Sequence, residues 1–402
     1  MSKQSVKDIS HKDQKVLMRV DFNVPLDAKG QIIDDRRIRM ALPSIQHVLK
    51  EGGRLILMSH LGRPSGNGPE SAYSLRPAAE RLDDLLGKDH DVQFSTDCIG
   101  PVAEEAVNAV EPGHVLVLEN LRFHSGEKSN DPAFAAALAD HADIYVNDAF
   151  GTAHRNHASM VGVPEKMTGK PHVAGLLLMK ELEFLSSAIT EAKSPFFAVL
   201  GGAKVSDKLG AIQYLLDRVD VILVGGAMAY TFLASQGHVT GNSLVEKDMI
   251  ETAGELLGRA KDSGKTILLP EDHQCAKSLE DAEGVRICEI GVPPDYMGLD
   301  IGPETARAWK SEISKAKTVV WNGPLGVFET PPFDQGSREV AEGVVTATRH
   351  HAVSIVGGGE TAAAVESFGL AGRFSHVSTG GGASLKMLEG VSFRSVELLD
   401  DA

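Results

Sequence analysis

The sequence predicts an α/β protein of two doubly wound, parallel-sheet (Rossmann-like) domains joined by a helical hinge. Three observations predict it. Short β-branched runs alternate with segments of helical period along the whole chain. The runs are apolar on both faces, as parallel strands covered by helices must be. A length of 402 residues suits two or three domains.

The strands of the first half are KVLMRV from Lys15, RLILM from Arg54, HVLVLE from His114 and DIYVND from Asp143. Between the first two, Ile38, Ala41, Leu42, Ile45, Val48 and Leu49 share one helical face, and Gly52-Gly53 stops that helix. The periodic stretch LLLMKELEFLSSAITEA from Leu176, followed by Lys193-Ser194-Pro195, reads as a connecting helix. The second half repeats the alternation with FFAVLG from Phe196, DVILVG from Asp220, KTILLP from Lys265, KTVVW from Lys317 and AVSIVG from Ala352. The division is 1–172, a connector at 173–194, and 195–387. No solenoid-period repeat or low-complexity segment interrupts it.

Composition excludes several classes. With 40 Lys+Arg against 55 Asp+Glu the formal charge is −15, which argues against nucleic-acid or anionic-membrane partners. An anionic ligand therefore needs a local basic cluster working against the overall field. Cys98, Cys275 and Cys288 form no CxxC pair, so a reducing cytoplasm with buried, apolar cysteines is expected. The start, MSKQSVKDISHKDQKVLMRV, has no apolar signal region, and no stretch approaches 18 apolar residues.

Such a cluster is visible in the strand-end loops of the first half. Arg19-Val20-Asp21-Phe22-Asn23 closes the first strand, and Arg36 and Arg37 open the next helix. Ser59-His60-Leu61-Gly62-Arg63-Pro64, Asn120-Leu121-Arg122-Phe123 and Gly151-Thr152-Ala153-His154-Arg155 follow three others. Any one arginine is ordinarily a solvated surface residue, and any one histidine ordinarily a hydrogen-bonded structural one. His154 with His157 lacks the further ligands a metal pair needs. Recurrence carries the case: ligands bind beyond the carboxyl ends of such strands, and guanidinium forks suit carboxylate and phosphate.

The second half supplies glycine turns at strand-to-helix junctions: Gly201-Gly202-Ala203-Lys204 through Lys208, Gly225-Gly226-Ala227-Met228, Gly357-Gly358-Gly359-Glu360-Thr361, and Thr379-Gly380-Gly381-Gly382-Ala383-Ser384. One such turn is plain turn chemistry. Four together read as a nucleotide polyphosphate cradle, since glycines let backbone N–H groups approach phosphate and helix starts offer free donors. Lys204 and Lys208, four apart, are expected on one helical face. Two decoys fail. Ser263-Gly264-Lys265-Thr266 lacks the Walker glycine spacing and runs helix-to-strand, so Gly264 reads as a helix-terminal glycine. Gly357 to Ala362 fits a dinucleotide fingerprint formally, but Thr379 stands where an acid is needed.

RVDFNVPL, SHLGRP, ENLRF, NDAFGTAHR, GGAKVSDK, WNGPLGVFE, GGGET and HVSTGGGAS, in that order from Arg19 to about Gly390, resemble the phosphoglycerate kinase family. The resemblance implies that 1–172 binds 3-phosphoglycerate or 1,3-bisphosphoglycerate. It also implies that 195–387 binds MgATP or MgADP, that 173–194 is the hinge, and that 388–402 returns to the first domain. At matching positions, Asp21, Phe22, Asn23, Arg37, His60, Leu61, Gly62, Arg63, Arg122, His154 and Arg155 would hold phosphoglycerate. Gly202, Lys204, Lys208, Gly226, Asn322, Pro324, Glu329, Gly357, Gly358, Gly359, Glu360 and Thr361 would bind nucleotide. Glu360 would meet the magnesium, where the family commonly has Asp. Ala227 replaces a third glycine of many relatives.

The implied reaction is reversible, Mg²⁺-dependent phosphoryl transfer by a cytoplasmic monomer with small-molecule partners only. Arg37 and Lys208, with backbone donors at Gly357 and Gly380, are expected to carry it. Two other classes compete. A dinucleotide oxidoreductase needs the missing acidic ribose partner. A non-catalytic nucleotide-binding protein of the same fold would lack site residues, whereas Arg37, Lys204 and Lys208 are present.

Overall fold

Runs with no polar face cannot lie half in water, and apart from the edge strand Thr266–Leu268 the strands they form are largely buried on both sides. A computed structural model describes residues 3–281, 284–378 and 380–402. The chain divides into two compact units, Met1–Leu182 with Ser392–Ala402, and Glu183–Val391.

In the first unit the strands are β1 (Lys15–Val20), β2 (Arg54–Met58), β3 (Val92–Phe94), β4 (Val115–Val117), β5 (Ile144–Asp148) and β6 (His172–Ala174). All pairings are parallel, in the order β3-β4-β2-β1-β5-β6, with Leu17 of β1 between Ile56 and Tyr145. The central β1 contributes Val16, Met18 and Val20 to a core shared with Leu55, Leu57, Val115, Val117 and Val146. The helix Arg36–Lys50 adds Ile38, Ala41, Ile45, Val48 and Leu49 to it. Each fully buried aliphatic side chain contributes about 1.5–3 kcal/mol. Gly52, at φ +78°, ends the helix, its N–H and that of Gly53 bonding Leu49 and Val48 carbonyls at 2.9 and 3.0 Å.

The second unit holds β7 (Phe196–Leu200), β8 (Val221–Val224), β9 (Thr266–Leu268), β10 (Asp272–Ala276), β11 (Arg286–Glu289), β12 (Met297–Ile301), β13 (Thr318–Asn322), β14 (Val353–Gly357) and β15 (His376–Val377). A parallel sheet runs β15-β14-β13-β7-β8-β9, and a small antiparallel sheet runs β11-β10-β12. That antiparallel sheet has no counterpart in the sequence reading. It brings Cys275 and Cys288, both buried free thiols, onto neighbouring strands. Gly264, at φ +68°, terminates the helix Ile250–Asp262, with Lys265 N–H bonding Ala260 O at 2.8 Å.

The connector forms the helix Leu176–Thr190, whose first free N–H groups find a carboxylate. Asp148 Oδ1 accepts from Leu177 and Leu178 N–H at 2.9 and 3.1 Å. The segment 392–402 is fastened inside the first unit: Lys3 Nζ donates to Leu399 O and Asp401 Oδ1, both at 2.7 Å, and Asp400 N–H bonds His172 O at 2.8 Å. Among the described residues no helix is long and apolar enough to cross a membrane.

Candidate active site

The strand-end loops of the first unit converge on His60. Arg19, fully buried in β1, donates from Nη2 to His60 Nδ1 at 3.0 Å, which leaves the imidazole proton on Nε2. Burial holds the His60 pKa well below its ordinary range, and Arg19, Arg122, Arg155 and Arg37 push it the same way. His60 is therefore a neutral residue amid four guanidinium groups. Burial, then Arg155 and Arg19, bring Arg122 down to about 10, still charged at neutral pH.

Hydrogen bonds fix these groups in place. Arg37 Nη1 donates to Asp21 Oδ2 at 2.7 Å, Asn23 Oδ1 accepts from Gly62 N–H at 2.8 Å, and Arg122 Nη1 donates to Gly62 O at 2.7 Å. The Arg122 Nε donor is buried with no hydrogen-bond partner among the described residues. An unsatisfied cationic donor costs free energy unless a ligand completes it, so this corner suits an anion. Phe22 and Leu61 are buried and help frame the loop: Phe22 N–H donates to Ser59 Oγ at 2.9 Å, and Leu61 O accepts from Asn120 Nδ2 at 2.7 Å. Arg63 is exposed on its loop, while His154 and Arg155 are half-buried.

In the second unit the glycine turns pack against one another. Gly226, at φ +66°, would place a Cβ 2.6 Å from Gly202 N, so only glycine fits. Gly201 and Gly202 N–H groups bond Asn322 O and Pro324 O at 3.0 Å, and Gly323 N–H bonds Thr361 Oγ1 at 2.7 Å. Two adjoining hollows result. One, of about 510 Å³, is walled by Tyr230, Leu244, Met297, Leu299, Leu325 and Val327, with Gly226, Pro324 and Glu329. The other, of about 870 Å³, is lined by Lys204, Lys208, Asn322, Gly358, Gly359 and Thr361, with Gly381 and Gly382. Gly202, Ala203 and Glu360 border both.

Lys208 Nζ bonds Asn322 Oδ1. Burial lowers the Lys208 pKa, opposed by Glu360, Asp207 and Glu389. The other amide atom, Asn322 Nδ2, is buried without a partner among the described residues, and a Cβ at Gly358 would stand 3.3 Å from it. A lysine, an orphan amide donor and the helix start at Gly359 surround one space, which suits a polyphosphate. Glu360 is exposed in the first helical turn, free to reach a phosphate-bound cation.

Two local expectations change, one at the lysines and one at Gly357. Lys204 and Lys208 do not share a helical face, because the turn through positive-φ Gly202 delays the helix until Leu209. Gly357 closes β14 and Gly358 caps the helix. Gly380 caps the helix Gly381–Leu388, and Thr379 lies outside the described residues. The site also includes groups the sequence reading passed over. Ser159 takes a hydrogen bond from Arg19 Nε at 3.0 Å and donates to the buried Glu127 Oε1 at 2.6 Å, giving the cation a distant counter-charge. An arginine inside an apolar strand was the one available signal.

Known proteins resemble the chain over nearly its whole length. The family profile described as phosphoglycerate kinase matches residues 6–391. The phosphoglycerate kinase of Rhodopirellula baltica is 53% identical over 405 residues, covering 100% of both chains. That of Chloroflexus aurantiacus is 49% identical, again over 100% of both. The solved phosphoglycerate kinase of Coxiella burnetii superposes with a TM-score of 0.86 at 38% identity, covering 98% of each chain. The enzyme of Pyrococcus horikoshii gives 0.85 at 31%, with the same coverage.

Proposed function

This chain belongs to the phosphoglycerate kinase family, and from that premise we propose how its own residues move a phosphoryl group between 1,3-bisphosphoglycerate and ADP. The observation that carries the reading is the four-arginine cluster around neutral His60 in a chain of net charge −15. Asp21, Asn23, Arg37, His60, Arg63, Arg122, His154 and Arg155, with Phe22, Leu61 and Gly62 in the loops that carry them, hold the phosphoglycerate. The apolar hollow takes the adenosine against Pro324, Gly226 and Glu329. The polyphosphate lies along Gly202, Lys204, Lys208, Asn322 and Gly357 to Thr361.

Phosphoryl transfer asks for position and charge stabilisation more than covalent chemistry. The attacking 3-phosphoglycerate-type nucleophile in the reverse direction is already a carboxylate, so no general base is required. Arg37 and Lys208 stabilise the transferring group, with backbone N–H donors at the helix starts after Gly357 and Gly380. Magnesium arrives with the nucleotide; Glu360 is the carboxylate that would hold it, and the bound ion would neutralise charge on the phosphates. The segment 173–194 acts as the hinge between the domains 1–172 and 195–387, and 388–402 completes the first. We place the enzyme in the cytoplasm, where the buried thiols Cys98, Cys275 and Cys288 stay reduced. We take it as a monomer, which sedimentation velocity checks.

The test is a coupled assay with 1,3-bisphosphoglycerate and ADP, set beside calorimetric titration of each ligand. Glu360→Gln is expected to weaken MgADP binding at least tenfold and leave 3-phosphoglycerate binding unchanged. Equal losses for both ligands would remove Glu360 from the magnesium role.

A further inference from the structure

The first unit carries a second cluster of chemically distinct ligands. Asp97 and Cys98 lie in the loop after β3, and His124 follows the turn Leu121–Phe123 after β4. A carboxylate oxygen, a thiol sulfur and an imidazole nitrogen from these residues all lie within 4.8 Å of one another. His124 Nε2 and Asp97 Oδ1 are 2.7 Å apart, and Asp97 Oδ1 also accepts from Cys98 N–H at 2.7 Å. Ser95 Oγ donates to Asp97 O at 2.8 Å, and the His124 ring rests on Phe134 with centroids 5.3 Å apart. Both side chains are thus held by their surroundings. Asp97 and His124 also line an open cavity of about 640 Å³.

We propose that Asp97, Cys98 and His124 bind a divalent cation of the zinc class, with water from the adjoining cavity as fourth ligand. The donor set selects the metal: a thiolate and an imidazole suit Zn²⁺ or Co²⁺ and repel hard Mg²⁺, which prefers oxygen alone. Ligand atoms at the vertices of a zinc tetrahedron stand about 3.3 Å apart. Replacing the His124–Asp97 hydrogen bond by the ion therefore opens that contact by about 0.6 Å, a shift two surface loops accommodate. Binding releases the thiol proton of Cys98 to solvent and moves the His124 ring proton to Nδ1, so that neutral Nε2 and two anionic ligands, the Cys98 thiolate and the Asp97 carboxylate, neutralise and hold the ion. The neighbouring Asp131 caps the helix Pro132–Ala139, its Oδ1 accepting from Ala133 and Phe134 N–H at 3.0 and 2.8 Å, and it stands outside the ligand group.

The experiment is a Co²⁺ titration of the full chain in millimolar Mg²⁺, read by absorbance, followed by displacement with Zn²⁺. The expected result is one Co²⁺ per chain with a near-ultraviolet thiolate charge-transfer band and visible bands of tetrahedral intensity. Cys98→Ser should abolish the charge-transfer band, and Asp97→Asn and His124→Ala should each weaken binding at least ~10-fold. Circular dichroism and thermal melting establish that each variant folds; should Cys98→Ser not fold, the other two carry the test. Absence of saturable Co²⁺ binding overturns the proposal. So does a thiolate band that survives in Cys98→Ser, which assigns the metal to Cys275 or Cys288. Unchanged affinity in Asp97→Asn and His124→Ala overturns it as well.

Discussion

Arg37 is held by one carboxylate, Asp21, at 2.7 Å, while its side chain remains one-third exposed. It is positioned without being consumed, and a donor aimed at developing charge is worth ~10²–10³ in rate. Arg37→Ala is expected to lower turnover by that factor while calorimetry finds ADP affinity intact; more than half of the parental turnover would end its assigned role. Arg19 differs because it is buried and answers to Glu127 through Ser159. Arg19→Met strands a buried carboxylate, so urea unfolding should record a loss of about 3 kcal/mol. A loss below about 1 kcal/mol would show Glu127 to be indifferent to its cation. These two residues also mark what the chain disclosed. Arg37 stood out in sequence because a strand-end loop and a helix start frame it. Arg19 was visible near the end of KVLMRV but its counter-charge was not, because Glu127 and Ser159 are brought to it only by folding.

At the scale of elements, strands with continuous apolar runs were legible and polar ones were not. β10 reads Asp272-His273-Gln274-Cys275-Ala276, all buried, with no apolar run to announce a strand. Its first carboxylate is used internally: Asp272 caps the helix Pro303–Ile313, accepting from Glu304 and Thr305 N–H at 3.0 and 2.8 Å. β3 and β6, three residues each, lie in no longer apolar run, whereas the equally short β4 and β9 are announced by HVLVLE and KTILLP. The helix Leu176–Thr190 was legible, but not the carboxylate that caps it. Burial raises the Asp148 pKa from 3.8 to about 6. The folded state thus holds the proton more tightly than the unfolded one. The protonated form's advantage is full below pH 3.8 and is lost as pH rises through about 6. Above that, ionised Asp148 costs on the order of 3 kcal/mol. Asp148→Asn keeps an acceptor for Leu177 and Leu178 and removes the titration. The stability difference, variant minus parent, should therefore grow from pH 4 to pH 7 in denaturant titrations; a difference flat with pH would contradict the buried charge.

For the whole molecule, the proposed half-sites lie on different units, and a ligand shifts a conformational equilibrium only by its differential affinity. Small-angle scattering is expected to give a smaller radius of gyration with 3-phosphoglycerate and MgATP together than with either alone. An unchanged radius in the ternary complex would count against closure, and full compaction by one ligand against its dependence on both. The fastening of 392–402 beside Lys3 has a consequence in time. The second unit, about two hundred residues, is an insertion in the first. During translation the ribosome must deliver all of it, over roughly 10–40 s, before Leu399, Asp400 and Asp401 can reach Lys3 and His172. The first unit to begin synthesis is therefore the last to be completed. Until then its sheet waits with the edge beside β6 unfinished, while the second unit already has every residue it needs.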